Sequence, residues 1–496
     1  MSPHGRTVLR DLGVVLHLPG SMALASLPVA LIAGEWDALA PLLITAVASL
    51  IPGQALFRAY RRAPVMRLRH AMVTTVLSWT LVPLIGMLPL LLIGQGAADG
   101  SAAAVLGNGW NAFFESMSGF TSTGLSLVER PSDLPATLQW WRSFSQWVGG
   151  VGVVLVMLAV FHPSGDAHRL YFSEAHGTTI LPDLAATVRT IGWIYAGYTC
   201  AAVAALWLTD LPPWEALNYG LTGIATGGFS VTDDGMAGYG PAPRVAMIVI
   251  MIAGAISFAT HFRLLTQGRI GLLWRDPENR ALGVLIVVGA VLIIGENAWA
   301  GTAAGLIDGV FQWVSALATA GFSTVDLSVW SPTALLLMVA AMVCGGAAGA
   351  TTGGIKLRRV ILLAAAALGR VRGLALHPWR LMEHKPIVSA EDEVHAVRTL
   401  EAAMVMLALW MASLFLGSLL LLHSVPPAVP LEHVIFEVAS ALGNVGLSTG
   451  IAGPELHWSG KLYLIVAMWV GRLEIVPVLV LIAALIAQRR AARSQK

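Results

Sequence analysis

The sequence predicts an all-α integral membrane fold. Ten transmembrane helices are expected, of which the last eight form four repeats of helix, re-entrant loop and helix and the first two stand outside them. Three observations carry that expectation. Apolar residues make up 56% of the 496-residue chain and charged residues only 12%, with mean hydropathy +0.73. Such a chain has too little charge to coat a water-soluble fold of its size. Ten apolar runs approach the roughly 20 residues that cross about 30 Å of hydrocarbon. Four shorter, partly apolar segments then lie between those runs and end on one shared pattern.

The ten runs are residues 12–34, 38–57, 71–93, 138–161, 188–208, 242–265, 281–294, 332–368, 400–423 and 462–487. Arg6 and Arg10 before the first run resemble the start of a signal peptide, but no cleavage site is evident and a second span follows closely, so a retained helix is expected. The seventh run is expected to extend through Glu296. The eighth is too long for one straight span and is interrupted by Gly345, Gly346, Gly349, Gly353 and Gly354. Cys200 and Cys344 sit in apolar runs outside any Cys-x-x-Cys motif, which argues against a disulfide framework or a cysteine metal site.

The four short segments are residues 110–123, 213–226, 306–319 and 431–444. Each is the length of a re-entrant half-helix, and Asn108, Pro212–Pro213 and Pro430 stand where such helices start. Basic residues set the orientation. Arg58, Arg61, Arg62, Arg67 and Arg69 crowd one connection, with further clusters at 168–169, 263–280, 356–398 and 489–496. Alternate connections hold mainly Asp210, Asp233, Asp234, Glu296, Asp326 and Glu432. The positive-inside bias therefore places both termini in the cytoplasm and all four half-helices on the outer side.

Aligned on their ends, the half-helices read Thr121-Ser-Thr-Gly-Leu-Ser126, Ala225-Thr-Gly-Gly-Phe-Ser230, Ala318-Thr-Ala-Gly-Phe-Ser323 and Gly443-Asn-Val-Gly-Leu-Ser448. One such hexapeptide is an ordinary helix-packing stretch of small residues. Four copies, each ending a half-length helix, point to a shared cation path. Backbone carbonyls from four loops can replace the hydration shell of a cation. Glycine permits the φ > 0 conformations that aim carbonyls at one axis, and each half-helix directs its negative end toward mid-membrane. The expected cation filter comprises Ser122, Thr123, Gly124, Thr226, Gly227, Gly228, Thr319, Ala320, Gly321, Asn444, Val445 and Gly446. The Leu or Phe after each glycine is expected to pack behind the loop, and the Ser after it to bond the returning chain.

These motifs resemble the Trk/Ktr/HKT superfamily of K⁺ transporters, most closely its bacterial TrkH/TrkG-type membrane subunits. The resemblance rests on FFESMSGFTSTG, the following WWRSFSQWVGGVGVVLVMLAVF, IATGGFSVTD, FQWVSALATAGFSTVD, CGGAAGATTGGIKLRRV, FEVASALGNVGLSTG and MWVGRLEIVPVLVL. It implies four pseudo-repeats around a central ion path, a dimer of pores, and a cytoplasmic TrkA-like or KtrA-like nucleotide-binding ring as regulator. The nucleotide would be bound by that partner, and no covalently bound cofactor is expected. On this basis residues 1–60 are an N-terminal two-helix extension, and 61–165, 166–270, 271–375 and 376–496 are the four repeats. In this superfamily serine at the first filter glycine accompanies Na⁺ permeation; glycine stands at all four positions here, and the resemblance therefore makes K⁺ the metal ion of the filter. The fourth loop, LGNVGLSTG, is closer to the Ktr type.

Residues 344–356 read either as a flexible packing stretch or as a broken helix beneath the filter. The resemblance implies a gating loop there, involving Gly345, Gly346, Gly349, Thr351, Thr352, Gly353, Gly354 and Lys356. Arg472, deep in the last run, is costly in hydrocarbon and is expected to reach the path and join the gate. Glu115 and Glu437, each nine residues before a filter glycine, are expected to anchor their half-helices rather than coordinate the ion. Segment 263–280 either binds lipid headgroups or docks a regulatory ring. A Na⁺-permeable or cation-coupled symporter of the same architecture is the alternative. An enzyme is disfavoured: the 13 histidines form no His-Glu-x-x-His pair, and no Gly-x-Ser-x-Gly elbow is present.

Overall fold

A computed structural model describes residues 3–64, 68–160, 184–302, 304–375, 390–475 and 478–479. The basic clusters at 168–169 and 489–496, together with Arg67, lie outside the described residues. Among those described, every regular element is a helix. In order these are α1 (Pro3–Val15), α2 (His17–Ala33), α3 (Leu39–Tyr60), α4 (Leu68–Gly96), α5 (Gly109–Phe120), α6 (Ala136–Val160), α7 (Leu184–Trp207), α8 (Pro213–Ile224) and α9 (Pro241–Ala255). They continue as α10 (Phe258–Gln267), α11 (Gly271–Arg275), α12 (Pro277–Ala300), α13 (Leu306–Leu317), α14 (Pro332–Cys344), α15 (Leu357–Ala375), α16 (Ala390–Leu422), α17 (Leu431–Leu442) and α18 (Trp458–Arg472).

Six stretches of helix are long and apolar enough to cross a bilayer among the described residues, and a seventh span results if the bent pair α9–α10 is taken as one. Their outward faces are hydrocarbon: Val284, Val287, Val288 and Val291 on α12 are all exposed, as are Ile32, Leu208 and Trp299. An exposed apolar surface of this extent is stable only against lipid.

The four short segments are helices of 12 residues each, α5, α8, α13 and α17. At 1.5 Å per residue each spans about 18 Å, roughly half of a bilayer. Their starts follow the residues that announce them. Asn108 caps α5 by accepting the N–H of Trp110, and Pro at the first helical turn opens α8.

Three expected spans are broken. Residues 242–265 do not form one helix: α9 and α10 meet at 103°. Ser257 starts the second helix by capping the Thr260 N–H, so the chain restarts rather than continues. Residues 332–368 break at Gly345 (φ 62°), as its glycines lead one to expect. Within the run 462–487, α18 ends at Arg472, and Glu474 (φ 57°) and Ile475 (φ 60°) turn left-handed; residues 476–477 and 480–487 lie outside the described residues. The seventh span is longer than drawn, running through Ala300.

Candidate functional site

The four short helices end in one shared backbone sequence. The residue after each helix cap is left-handed: Ser122 (φ 51°), Thr226 (φ 49°), Thr319 (φ 48°) and Asn444 (φ 51°). The next N–H reaches back over the last turn in a Schellman closure, from Thr123 to the Ser118 carbonyl (2.9 Å), Gly227 to Thr222 (2.8 Å), Ala320 to Ser315 (2.8 Å) and Val445 to Ser440 (2.9 Å). Gly124, Gly228, Gly321 and Gly446 follow, with φ between 77° and 96°. Glycine is thus one of two left-handed positions per loop. The other is held by Ser, Thr or Asn at a cost of roughly 1–2 kcal/mol per residue, a position that the glycine column did not reveal.

The glycines close a ring. A Cβ built on Gly124 would fall inside 3.0 Å of the Gly227 carbonyl oxygen. One on Gly228 would meet the Ala320 oxygen, one on Gly321 the Val445 oxygen, and one on Gly446 the Thr123 oxygen, all inside the same limit. Each loop is therefore seated in the missing side chain of its neighbour, in the order first, second, third, fourth and back to the first.

Behind the ring, each loop is braced from its own short helix. Glu115 Oε1 accepts from Ser126 Oγ at 2.8 Å, and Glu437 Oε1 from Ser448 Oγ at 2.8 Å. Tyr219 and Gln312, at the equivalent positions, meet Ser230 Oγ at 2.7 Å and Ser323 Oγ at 2.9 Å. Every one of these serines also accepts the N–H two residues on, from Val128, Thr232, Val325 and Gly450. The intervening Leu125, Phe229, Phe322 and Leu447 are buried behind the loops. The anchoring expected of Glu115 and Glu437 is what the geometry shows. Tyr219 and Gln312 escaped sequence reasoning, although their spacing of nine residues to the glycine carries the same signal.

Glu115 also forms a buried ion pair with Arg142 Nε at 2.8 Å. Arg142 goes on to the Ser230 carbonyl at 2.9 Å and lies over the Phe229 ring, 4.3 Å from its centre. It therefore fastens the first loop to the second. Gln146, unremarked in the sequence, accepts the Phe229 N–H at 3.0 Å and donates to the Gly227 carbonyl at 2.5 Å. One lone pair of that oxygen is already occupied.

The broken stretch between α14 and α15 packs against the ends of the second, third and fourth short helices. Left-handed Gly345, Gly349, Gly354 and Lys356 coil it into a compact loop. Gly353 N–H donates to Thr319 Oγ1 at 2.8 Å, and its Cα faces the Gly443 carbonyl so closely that no side chain would fit. Thr351 Oγ1 bonds the Gly254 carbonyl at 3.0 Å and meets Thr226 Oγ1 at 3.1 Å. The Thr352 carbonyl accepts from Lys356 Nζ, and the Gly346 carbonyl accepts the Leu357 N–H at 3.0 Å. The bend between α9 and α10 makes room for the loop: Ala347 N–H donates to Ala255, and Phe258 N–H to Gly349. Glu278 supports it from α12 by accepting the Ala348 N–H at 2.7 Å.

Arg472 ends α18 against the same loop. Its guanidinium donates to the Thr351 carbonyl at 3.0 Å and to the Gly149 carbonyl on α6 at 2.7 Å. Beyond it, Glu474 pairs with Arg359 of α15 at 2.8 Å. Asn444 Nδ2 donates to Thr123 Oγ1 at 2.9 Å and to the Met468 carbonyl at 2.8 Å, tying the fourth loop to the first. Residues expected at the filter and at the gate thus meet in direct contact, through Thr226 with Thr351, Thr319 with Gly353 and Arg472 with Thr351. No group of three or more His, Cys, Asp or Glu suited to a transition metal occurs among the described residues.

Residues 42–494 match the TrkH family, described as cation transport proteins. An uncharacterized cation transporter of Methanocaldococcus jannaschii is 33% identical over 85% of this chain and 83% of its own length. The Trk system potassium uptake protein TrkH of Halomonas elongata is 31% identical over 96% and 98%. The crystal structure of the potassium transporter TrkH from Vibrio parahaemolyticus superposes with a TM-score of 0.82 at 26% identity, covering 96% of this chain and 98% of that one.

Proposed function

The chain belongs to the TrkH family of cation transport proteins, and from that premise we propose that it carries K⁺ into the cell through the ring of four loops. The observation that supports this most is ring closure itself: Gly124, Gly228, Gly321 and Gly446 each receive the next loop's carbonyl. That arrangement sets oxygen-bearing backbone from four loops around one axis, the donor set that a dehydrated alkali cation requires. The negative ends of four half-helices converge there and favour positive charge. No chemical transformation is involved, and the protein is a transporter rather than an enzyme.

In this reading the fold is four pseudo-repeats, 61–165, 166–270, 271–375 and 376–496, following a two-helix extension at 1–60, with ten spans and both termini cytoplasmic. Ser122, Thr123, Gly124 and their counterparts through Gly446 form the filter. The loop from Gly345 to Lys356, with Arg472, forms the gate below it. The guanidinium places a fixed positive charge in the way of the ion and clamps the loop through Thr351, so opening requires the loop to leave both. A homodimer regulated by a TrkA-like or KtrA-like nucleotide-binding ring follows from the family.

The test is Rb⁺ uptake by proteoliposomes with K⁺ and Na⁺ as competitors. Uptake suppressed by K⁺ and little affected by Na⁺ is expected. No uptake, even with candidate regulatory subunits added, overturns the proposal, and equal suppression by Na⁺ overturns its K⁺ selectivity.

A further inference from the structure

Two of the four braces are carboxylates, and only one of them is neutralised. Glu115 has Arg142 against it, their side chains 0% and 2% exposed. Glu437 is as deeply buried, 0% exposed, yet none of the ion pairs among the described residues includes it. Uncharged donors hold it instead. Oε1 accepts from Ser448 Oγ at 2.8 Å and Ala452 N–H at 3.0 Å, while Oε2 accepts the Thr449 N–H at 3.1 Å with Thr449 Oγ1 at 3.5 Å. Both oxygens are thus satisfied by hydrogen bonds, with no cation among these partners.

The brace itself does not need that charge. Gln312 holds Ser323 from the equivalent position with a neutral amide, and Tyr219 holds Ser230 with a hydroxyl. The carboxylate at position 437 differs from them in accepting the Thr449 and Ala452 backbone N–H groups as well, and in being able to carry a negative charge.

We propose that Glu437 sets the cation affinity of the ring, its unpaired negative charge drawing the ion in from behind the fourth loop without touching it. The inference rests on reading the ring as the ion path. Ser448 is two residues beyond Gly446, so the carboxylate lies within about 10 Å of that glycine. At this range and an effective dielectric of about 20, one unit charge changes cation affinity roughly tenfold. Burial keeps salt from screening it.

The experiment compares Glu437→Gln, Gln312→Glu and the double exchange in the full chain, reading the Rb⁺ concentration for half-maximal uptake into proteoliposomes. Glu437→Gln is expected to raise that concentration roughly tenfold. Gln312→Glu is expected to lower it, because it adds the charge at an equivalent place behind the third loop. The double exchange is expected to return near the unsubstituted value. A role confined to bracing predicts no such recovery, since the two positions hold different loops. If the unsubstituted protein conducts and Glu437→Gln leaves half-saturation unchanged, the inference fails while the ion path stands. It fails in the same way if the double exchange does no better than Glu437→Gln. Should Glu437→Gln not assemble, Gln312→Glu alone decides: half-saturation that fails to fall overturns the inference. An unsubstituted protein without uptake overturns the path and the inference together.

Discussion

Replacing Arg472 with Gln is the most direct perturbation of the proposed gate. Arg472 makes one bond to the gate loop, to the Thr351 carbonyl at 3.0 Å, and fastens itself to α6 through Gly149 at 2.7 Å. The second bond anchors the clamp; the first holds the loop. A hydrogen bond from a charged donor is worth about 1.5–3 kcal/mol. Loss of the Thr351 bond alone therefore shifts the balance between open and closed loop by about 10- to 150-fold toward open. Removing the fixed charge lowers the barrier to a cation further, so the two effects add in the same direction. Glutamine keeps a polar end near the carbonyls and limits loss of packing against Trp79, whose ring centre lies 5.7 Å from the guanidinium carbon. The assay is the initial rate of Rb⁺ uptake by proteoliposomes without any regulatory subunit, where the loop should be mostly closed. A rise of at least about tenfold is expected. An unchanged or reduced rate, with the variant still eluting as the unsubstituted protein does in detergent, would refute the clamp.

Three other outcomes are expected. Alanine at Gly228 should abolish selective uptake, because its φ of 84° strains any side chain by about 1–3 kcal/mol and the Cβ meets the Ala320 carbonyl; K⁺ and Na⁺ competition against Rb⁺ measures it, and retained discrimination counts against the ring. Glu115→Gln should lower thermal stability in detergent by about 3–5 kcal/mol, since Arg142 is left buried without its partner; a melting curve that does not move contradicts that. Thr351→Val should raise basal uptake by several-fold, because it removes bonds to Gly254 and Thr226 that total about 1–2 kcal/mol, and a second exchange with Arg472→Gln tests whether both act on one loop.

Much of the site was legible from sequence because its determinants are local. A half-helix shows in its length and its starting residues, and Asn108 and Pro213 stand where α5 and α8 begin. The shared glycine column announced the loops, and the glycines after Cys344 announced the break. Neighbourhood was less accessible. Nothing in the spacing of Gly124 and Gly227 states that one fills the other's missing side chain, since roughly a hundred residues separate them. The braces at Tyr219 and Gln312 were hidden because chemical identity differs while position does not. The break at Ile256–Ser257 had only a lone serine within an apolar run as its signal, a residue that caps a helix start through the backbone N–H of residue 260. The left turn at Glu474 and Ile475 had none: neither residue favours positive φ, and the turn is held by the Ile475 N–H on the Val470 carbonyl at 3.2 Å together with the ion pair of Glu474 with Arg359.

The four braces also differ in a way that a homotetramer could not match. An assembly of identical subunits repeats any codon change four times, so its central opening changes by whole steps. Here one polypeptide encodes each quarter separately, and the quarters already diverge: Ser122, Thr226, Thr319 and Asn444 at one position, Glu115, Tyr219, Gln312 and Glu437 at another. A single substitution alters one loop of the ring and leaves three intact. In the proposed ion path, affinity can then be adjusted one loop at a time, and a change in one loop is not multiplied by symmetry.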